Sequence, residues 1–544
     1  MLTHVITALL LAVPAAPARS VTTVDAASID AVVRDYQKAT RIPGVAVAVT
    51  QGHAVVHTAG FGRTASGDEV TDRTVMPIAS LSKSITALAV MQLVEARRVQ
   101  LDSPVSEYLP EFALADSRAA GITVRHLLEQ TSGLADVTNP ARSRPVPGTL
   151  REAVAAMRTA RLAAEPGTRF EYHNPNYQVA ARLVEVVSGH SFDAHLSERI
   201  FAPLGMTDSR TIGTPAEAPA AVRGHRMIAG LPVPLAEPAD FGNGSGGVLS
   251  TAGDMAAWLI AQAAGYKRAV GSAETGGRGQ VPGGAPAPGS TPRPGNTPTG
   301  GGAPTAGGMP PGSGAPTARG APVLSPAGIA QMHRPGVRSD YGLGWDTGET
   351  PSGAPLVEHT GGLITATAYQ ALLPDQGYGI AVMANAGSQY GDAASLGAGL
   401  INLIEGQSGA GPDGVAALVA TDIVILLVAF GAAVLAVRGV RRSGSWAGRH
   451  QVGRLVTVVR LLPYSLPLLL LIALDGVVSA LYRGQDISWQ QAAYLFPAFT
   501  LLLGVTSAGG VVVLGARLFK AATRQHGRSS GTGPARNQPE VTLS

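Results

Sequence analysis

The 544-residue chain contains no cysteine. That absence excludes disulfide bonds, catalytic thiolates and cysteine-ligated zinc sites, although it does not exclude export from the cell. Lysine is scarce as well, because only four of the 41 basic residues are lysines: Lys38, Lys83, Lys267 and Lys520. A lysine inside a patterned segment is therefore less expected to be a generic surface charge. The histidines show no His-Glu-x-x-His spacing, so zinc-protease chemistry has no support.

The net charge of +4 is distributed unevenly along the chain. Two C-terminal stretches, residues 438–454 and 517–544, contain ten Lys and Arg and a single acid, Glu540, and so carry +9. The rest of the chain then carries −5, which makes the large N-terminal part mildly acidic. The basic isoelectric point is therefore no argument for a nucleic-acid partner.

Three long apolar runs, residues 415–437, 461–481 and 493–514, are long enough to cross a bilayer. The alternative is three buried helices of a soluble domain. With three spans, the basic loop after the first run and the basic tail at 517–544 lie on one side, and the positive-inside rule places that side in the cytoplasm. The chain before residue 415 is then extracytoplasmic. Asp475 lies inside the second run, and we expect it to pair with Arg460 or to reach an interface rather than to form a transport path.

Two segments are predicted to lie outside any folded core. Residues 1–18 resemble a secretory signal peptide, with an apolar core and Ala16-Pro17-Ala18 as a cleavage region, although the segment before that core has no Lys or Arg. A plain apolar N-terminus is the alternative. Residues 271–321 consist almost entirely of Gly, Pro, Ala, Thr and Ser and cannot bury a core, so we expect a disordered insertion within one domain spanning 25–406.

The remaining sequence predicts a mixed α/β fold of the α+β kind. Strand patterns occur near both ends of the domain and helical patterns lie between them. This order favours one antiparallel sheet closed by the two chain ends, with a separate helical lobe. The predicted strands are 45–50, 54–61, 356–359, 367–373 and 379–384, and the predicted helices are 80–98, 124–130, 151–158, 176–187 and 194–200.

Ser80-Leu81-Ser82-Lys83 is the most informative motif of the chain. It lies at the head of a long apolar helical pattern, and a spacing of three residues places Ser80 and Lys83 on one helix face. A serine hydroxyl becomes a good nucleophile when a neighbouring amine with a lowered pKa removes its proton. Roughly 0.3 chance matches to Ser-x-x-Lys are expected in a chain of this length and composition, so the motif needs partners.

Two further motifs supply candidate partners. Tyr172-His173-Asn174 offers a phenol that a nearby ammonium could help to ionise, and an amide able to hold Lys83 or a substrate carbonyl. His359-Thr360-Gly361-Gly362 ends a predicted strand, where an imidazole could bind a substrate carboxylate or tune the tyrosine. The glycines let substrate lie against the strand edge, where a backbone N–H can join that of Ser80 in an oxyanion hole.

With these motifs in this order, residues 30–406 apart from the insertion resemble the β-lactamase-related serine hydrolases. That group includes class C β-lactamases, D-alanyl-D-alanine carboxypeptidases and related esterases and peptidases. Further matching stretches are residues 122–134, 200–206, 244–255 and 341–345. The resemblance implies an α/β fold with an antiparallel sheet flanked by helices, and it implies no metal or organic cofactor.

The resemblance also implies a role for each site residue. Ser80 would be the acylated nucleophile, Lys83 would help to activate it, and Tyr172 would be the general base that later protonates the leaving group. Asn174 would position Lys83 and substrate, and the amides of Ser80 and Gly362 would form the oxyanion hole. The substrate-binding set is Asn174, His359, Thr360, Gly361 and Gly362.

His359 stands where many β-lactamases have a lysine. Histidine is mostly neutral above its usual pKa of about 6.5, so carboxylate recognition should be weaker or pH-dependent. This makes peptidase or esterase action more credible than efficient β-lactamase action. The Gly-x-Ser-x-Gly pattern of α/β-hydrolases occurs at residues 527–531 in the basic tail, without a preceding strand, and we attribute it to chance.

The sequence thus predicts a multi-pass membrane protein with an extracytoplasmic serine hydrolase domain. Its substrate would be a small peptide, a β-lactam or an ester, with peptides ending in D-alanine first by family analogy. The alternative is a non-catalytic or slowly acylated sensor that recognises penicillin and signals through the membrane helices.

Overall fold

The structure is a computed structural model that describes residues 24–142, 144–275, 322–387, 391–407, 415–449 and 462–529. The predicted signal peptide lies outside the described residues, as does the chain from 276 to 321. Residues 271–275, which we assigned to the insertion, form the end of a helix.

Within these described residues, the main sheet has six strands in the order β2-β1-β11-β10-β9-β8, and every neighbouring pair is antiparallel. Val45 of the first strand pairs with Ala384 of the last, so the two ends of the domain close the sheet as predicted. Smaller sheets are formed by β3-β7-β4 and by the hairpin β5-β6. The strands are β1 (Gly44–Gln51), β2 (Ala54–Gly62), β3 (Met76–Pro77), β4 (Arg210–Thr211), β5 (Gly224–Ile228), β6 (Leu231–Leu235), β7 (Val248–Ser250), β8 (Asp346–Glu349), β9 (Pro355–Gly362), β10 (Thr367–Leu373) and β11 (Tyr378–Ala384).

Helices cover both faces of this sheet and continue into the C-terminal region. Those of the N-terminal domain are α1 (Ala26–Thr40), α2 (Ser82–Glu95), α3 (Val124–Leu128), α4 (Leu150–Ala156), α5 (Asn174–Ser188), α6 (Phe192–Leu196), α7 (Ala202–Leu204), α8 (Ala252–Thr275), α9 (Pro326–Met332) and α10 (Ala393–Ile404). Those that follow are α11 (Val415–Arg441), α12 (Ser443–Arg449), α13 (Leu466–Ile472), α14 (Leu474–Leu481), α15 (Trp489–Leu495) and α16 (Pro497–Ser529).

The alternation of side chains along β1 separates two apolar cores. Val45, Val47 and Val49 face the layer formed by α1 and α10. Ala46 and Ala48 face the opposite layer, which contains α2 and α8. Successive side chains of a strand point to opposite faces of the sheet. Because helices cover both faces here, the side chains on both faces are buried, and the strand is apolar from Val45 to Val49.

In the described part of the C-terminal region, two apolar helices are continuous over a membrane-spanning length, and a third predicted span is bent. Among the described residues, α11 and α16 are long and apolar enough to cross a membrane, and a third crossing exists only if α13 and α14, bent by 65°, count as one span. The predicted run 461–481 is thus broken at Ala473, two residues before Asp475. Arg460, its expected partner, lies outside the described residues. The predicted run 493–514 is divided at Phe496, and Pro497 opens α16, a position that proline favours.

Candidate active site

Ser80 lies in a single 3-10 turn, Ala79–Leu81, that leads directly into α2. The preceding residue, Ala79, has a φ of 48°, in the left-handed region that residues with a Cβ rarely adopt. Such backbone strain costs of order 1–3 kcal/mol and is typical of functional sites. The hydroxyl of Ser82 donates to the carbonyl of Ala79 at 2.6 Å and accepts from the N–H of Val248 at 3.0 Å, which holds the turn in place.

The structure brings the amine of Lys83 to the Ser80 hydroxyl. Lys83 Nζ lies 3.1 Å from Ser80 Oγ, 2.8 Å from Asn174 Oδ1 and 2.7 Å from the carbonyl oxygen of Ser245. Lys83 is completely buried, and burial, followed by the positive charge of Arg142, lowers the pKa of its amine well below the usual 10.5. A lysine in this environment is able to exist as a neutral amine and therefore as a base.

Tyr172 lies across the site from this lysine. Lys83 Nζ is 4.8 Å from the centre of the Tyr172 ring, and the phenol also interacts with the side chain of Ser80. Partial burial of the ring raises the pKa of Tyr172, and the interaction with Ser80 only partly opposes that effect. The raised pKa is opposite in direction to the lowered pKa that a neighbouring ammonium would produce, and the role of Tyr172 as general base stays a prediction. Tyr172 remains 40 % exposed, so substrate and water both reach it.

Asn174 is the first residue of α5, and its position depends on a buried network behind it. His173, immediately before the helix, contacts Asp136 Oδ1 through Nδ1 at 2.7 Å and Asn139 Nδ2 through Nε2 at 3.1 Å. The side chain of His173 is fully buried. These contacts fix the start of α5 and with it the amide that holds Lys83.

His359 lies on β9, where it is 1 % exposed and both ring nitrogens are occupied by protein groups. Its Nε2 is 3.0 Å from the hydroxyl of Tyr341, and its Nδ1 is 2.6 Å from the carbonyl oxygen of Thr360. Burial, followed by the charge of Lys83, lowers the pKa of His359 to about 3. A neutral ring with a proton on Nδ1 satisfies both contacts, since it donates to Thr360 and accepts from Tyr341. His359 therefore does not present a free cation to the cleft.

The remaining residues of this motif place β9 against the turn that carries Ser80. A Cβ on Gly361 would lie 2.7 Å from the carbonyl oxygen of Ile78 and 2.9 Å from Leu81 Cδ1, so only glycine allows this approach. Thr360 and Gly362 alternate with Gly361 along the strand and are exposed at the cleft, where they face the same space as Ser80. The strand thus forms one wall of the site.

These side chains open into a cleft of about 880 Å³. Ser80, Tyr172, Asn174, Thr360 and Gly362 line it, whereas Lys83, His359 and Gly361 lie behind its surface. The volume is within the range of small-molecule sites.

Several residues that contribute to the cleft were missed by the sequence reasoning. Asp136, Arg142 and Asp240 form a charged group on its wall, with Arg142 Nε 3.1 Å from Asp240 Oδ2. The carbonyl of Ser245, which holds Lys83, belongs to the glycine-rich stretch 244–247 that carried part of the resemblance. Every residue has a backbone carbonyl, so the residue type cannot show which carbonyl will accept a hydrogen bond from Lys83. The glycine pattern at 244–247 was the available indication that this stretch belongs to the site. Within the described part of the chain, no group of three or more His, Asp or Glu could hold a metal ion.

Comparison with known proteins identifies the family. The family model described as Beta-lactamase matches residues 29–401, more than half of the chain. Penicillin-binding protein 4 of Amycolatopsis lactamdurans is 35% identical over 173 residues, which are 31% of this chain and 45% of that protein. The chain therefore spans less than half the length of this curated relative.

Two solved structures share the fold. An octameric penicillin-binding protein homologue from Pyrococcus abyssi superposes with a TM-score of 0.55 at 23% identity, covering 71% of this chain and 78% of that one. A penicillin-binding protein from Bacillus halodurans gives a TM-score of 0.51 at 21% identity, covering 69% and 98%. The family match and the Ser-x-x-Lys site lead to one conclusion: the chain belongs to the Beta-lactamase family of β-lactamase-related serine hydrolases.

Proposed function

We propose that the protein is a membrane-anchored serine hydrolase that cleaves an amide or an ester through an acyl-enzyme, with its active site outside the cytoplasmic membrane. The observation that carries this proposal is the buried Lys83 amine 3.1 Å from the Ser80 hydroxyl. The leading substrates are peptides ending in D-alanine, followed by β-lactams and small esters.

The contacts of Lys83 allow proton transfer without rearrangement. A neutral amine has two N–H groups, which donate to Asn174 Oδ1 and the Ser245 carbonyl, and its lone pair then faces the Ser80 hydroxyl. After Ser80 Oγ attacks the substrate carbonyl, its proton moves to Lys83, and the resulting ammonium donates to the same groups. The site thus satisfies both protonation states of the lysine with one geometry.

The second half of acylation falls to Tyr172 and the oxyanion hole. The N–H groups of Ser80 and Gly362 would stabilise the negative oxygen of the tetrahedral intermediate. A tyrosine phenol is protonated at neutral pH, so Tyr172 would donate its proton to the departing nitrogen or oxygen and regain one from Lys83. Water then attacks the acyl-enzyme by the reverse proton path, releasing the acid and free Ser80.

His359 takes a positioning role in this scheme rather than a direct ionic role. Its hydrogen bond to Tyr341 orients a ring that packs edge-on against Tyr172, with centroids 6.1 Å apart. A substrate carboxylate, if present, would meet the exposed hydroxyl of Thr360 rather than a charged imidazole. This favours peptidase or esterase action over rapid β-lactam hydrolysis.

Contacts between the apolar helices support a topology of three crossings. Gly509 of α16 approaches Ala436 of α11, and Val513 approaches Gly439, so residue numbers increase together and the two helices run parallel. Two parallel spans require that the chain between them return across the membrane, and the bent pair α13–α14 is the segment that does so. With the basic stretches in the cytoplasm, the catalytic domain is outside.

A substrate panel tests the proposal. Purified full-length protein in detergent is incubated with a chromogenic ester, a peptide ending in D-Ala-D-Ala and a fluorescent penicillin, beside the Ser80→Ala variant. Turnover that requires Ser80 supports the hydrolase. Stable labelling of Ser80 without turnover supports the penicillin-recognising sensor instead, and neither labelling nor turnover contradicts both.

A further inference from the structure

We propose that the segment joining α14 to α15, residues 482–488, forms a wall of the catalytic cleft, and that Gln485 within it helps to select the substrate. This inference rests on the proposed hydrolase function. It assigns to the C-terminal region a part in the active site beyond anchoring the chain.

Gln485 lines the same cleft as Ser80, although it lies more than 400 positions further along the chain. The side chain of Gln485 is exposed, and the two residues that follow it, Asp486 and Ile487, are 6% and 7% exposed. The segment therefore buries its C-terminal half against the protein and leaves its amide side chain facing the substrate space. An amide can both donate and accept hydrogen bonds, which suits recognition of a peptide or ester backbone.

Asp486 fixes this segment to the catalytic domain. Its carboxylate accepts a hydrogen bond from the backbone N–H of Arg142, and its own N–H donates to Asp136 Oδ2 at 3.1 Å. Asp136 in turn contacts His173, the residue before Asn174, which holds Lys83. A continuous set of contacts therefore joins the segment to the catalytic lysine, and Asp486 acts as a positioning residue.

The backbone of the segment is shaped for this close approach. Arg483 and Gly484 have φ values of 57° and 84°, so the chain reverses sharply after α14. A Cβ on Gly484 would lie 2.7 Å from Val137 Cγ1, which shows how closely the turn packs on the catalytic domain. The hydroxyl of Ser479 donates to the carbonyl of Gln485 at 2.5 Å and ties the turn to its own helix.

A second group of contacts shows that the two regions are packed together elsewhere as well. Asp422 near the start of α11 accepts from the backbone N–H of Ala229 at 2.9 Å, and Arg226 donates to the carbonyl of Leu495 at 3.1 Å. Both partners in the catalytic domain belong to the β5–β6 hairpin. One membrane span would be enough to anchor the protein. The additional apolar helices are explained if their function is to bring residues 482–488 to the cleft, because a single span could not do so.

The chain's lack of cysteine permits a direct test of the docking. A Val137→Cys, Gly484→Cys double variant places two thiols at disulfide distance, for which Cβ atoms lie about 3.5–4.5 Å apart. Mild oxidation of the full-length protein in detergent should close a disulfide, seen as a shift on a non-reducing gel. The control is Val137→Cys with Gln490→Cys, since Gln490 is exposed on α15. Failure of the first pair to form a disulfide, or equal formation by both, overturns the proposal.

Substitution of Gln485 tests its role in selection. Gln485→Trp should change the ratio of kcat/KM between a small and a bulky ester at least fivefold, mainly through KM, whereas Gln490→Trp should leave the ratio unchanged. If wild type turns over both esters and the Gln485→Trp ratio equals the wild-type ratio, Gln485 has no such role. If wild type is neither acylated nor active, the hydrolase function fails and the role of Gln485 with it, while the disulfide result still decides whether the segment is docked.

Discussion

The amine of Lys83 and the hydroxyl of Ser80 lie 3.1 Å apart, and no solvent reaches the lysine. Burial favours the neutral form of this amine, whose two N–H groups donate to Asn174 Oδ1 and to the Ser245 carbonyl while its lone pair faces the Ser80 hydroxyl. We therefore expect the pair to move one proton between these two atoms.

Replacing Lys83 should remove the base while leaving the cleft intact. We expect Lys83→Met, which nearly matches the lysine in volume, to lower kcat for ester hydrolysis about 10²–10⁴-fold, the usual contribution of a general base. KM should change little, because Lys83 does not line the cleft. Lys38→Met, in the last turn of α1, is the matched control and should retain full activity. Normal kcat in Lys83→Met would contradict the assignment.

The pH dependence of kcat/KM should report Lys83 rather than His359. Activity requires the neutral amine, so kcat/KM should rise with pH as Lys83 loses its proton. The midpoint of this acidic limb of the pH profile should lie well below the usual lysine pKa of 10.5. His359, with a pKa of about 3, is already neutral throughout that range. The acidic limb should therefore stay at the same pH in His359→Gln, whatever the change in overall rate. A limb that moves with this substitution would assign the titration to the histidine.

Gly361 is expected to be intolerant of any side chain. In Gly361→Ala the new methyl group would collide with the carbonyl of Ile78, which displaces the nucleophile turn and costs about 1–3 kcal/mol of folding stability, as overpacking usually does. Ester hydrolysis should fall in parallel. Gly348→Ala on the adjacent strand β8 has open space at the new methyl and serves as the control for both activity and thermal stability. Equal behaviour of the two variants would exclude the proposed close packing.

Much of this arrangement could be predicted from local patterns. The strands of the closing sheet and the Ser80–Lys83 pair follow from residue type and spacing, and the candidate role of Asn174 follows from the family resemblance. The neutral, buried state of His359 could not be predicted, because it depends on Tyr341 and on burial by distant segments. The contact between Arg142 and Asp486 joins positions far apart in the chain, and nothing local to either residue indicates it. The bend at Ala473 could not be predicted either, because the run on both sides of it is apolar and the pattern does not change there.

Acid should destabilise the catalytic domain through three buried histidines. Burial lowers the pKa of His195 to about 4 and those of His333 and His359 to about 3. In the unfolded chain these histidines bind protons near pH 6.5, whereas in the folded chain they stay neutral to a lower pH. Their full contribution to the free energy of unfolding is therefore present above pH 6.5 and should be lost as the pH falls toward 4. Three such groups give a slope of up to about 4 kcal/mol per pH unit.

Denaturant titrations at several pH values, followed by fluorescence of the stacked pair Trp258 and Trp345, measure this slope. His195 lies away from the cleft, so His195→Gln should reduce the slope by about 1.4 kcal/mol per pH unit without changing ester hydrolysis. Stability that is constant between pH 7 and 4.5 would show that these rings are protonated in the folded protein.

The most direct test of the central claim is the mass of the peptide that contains Ser80 after brief exposure of the full-length protein to an activated ester and, in a separate sample, to a penicillin, each reaction being stopped with acid. With the ester we predict the mass of one acyl group on Ser80 in the wild-type protein, its formation at a rate reduced by orders of magnitude in Lys83→Met, and its loss by hydrolysis when the reaction is left to proceed. A Ser80 left unmodified by both reagents, or an acyl group carried by another residue, would contradict the account.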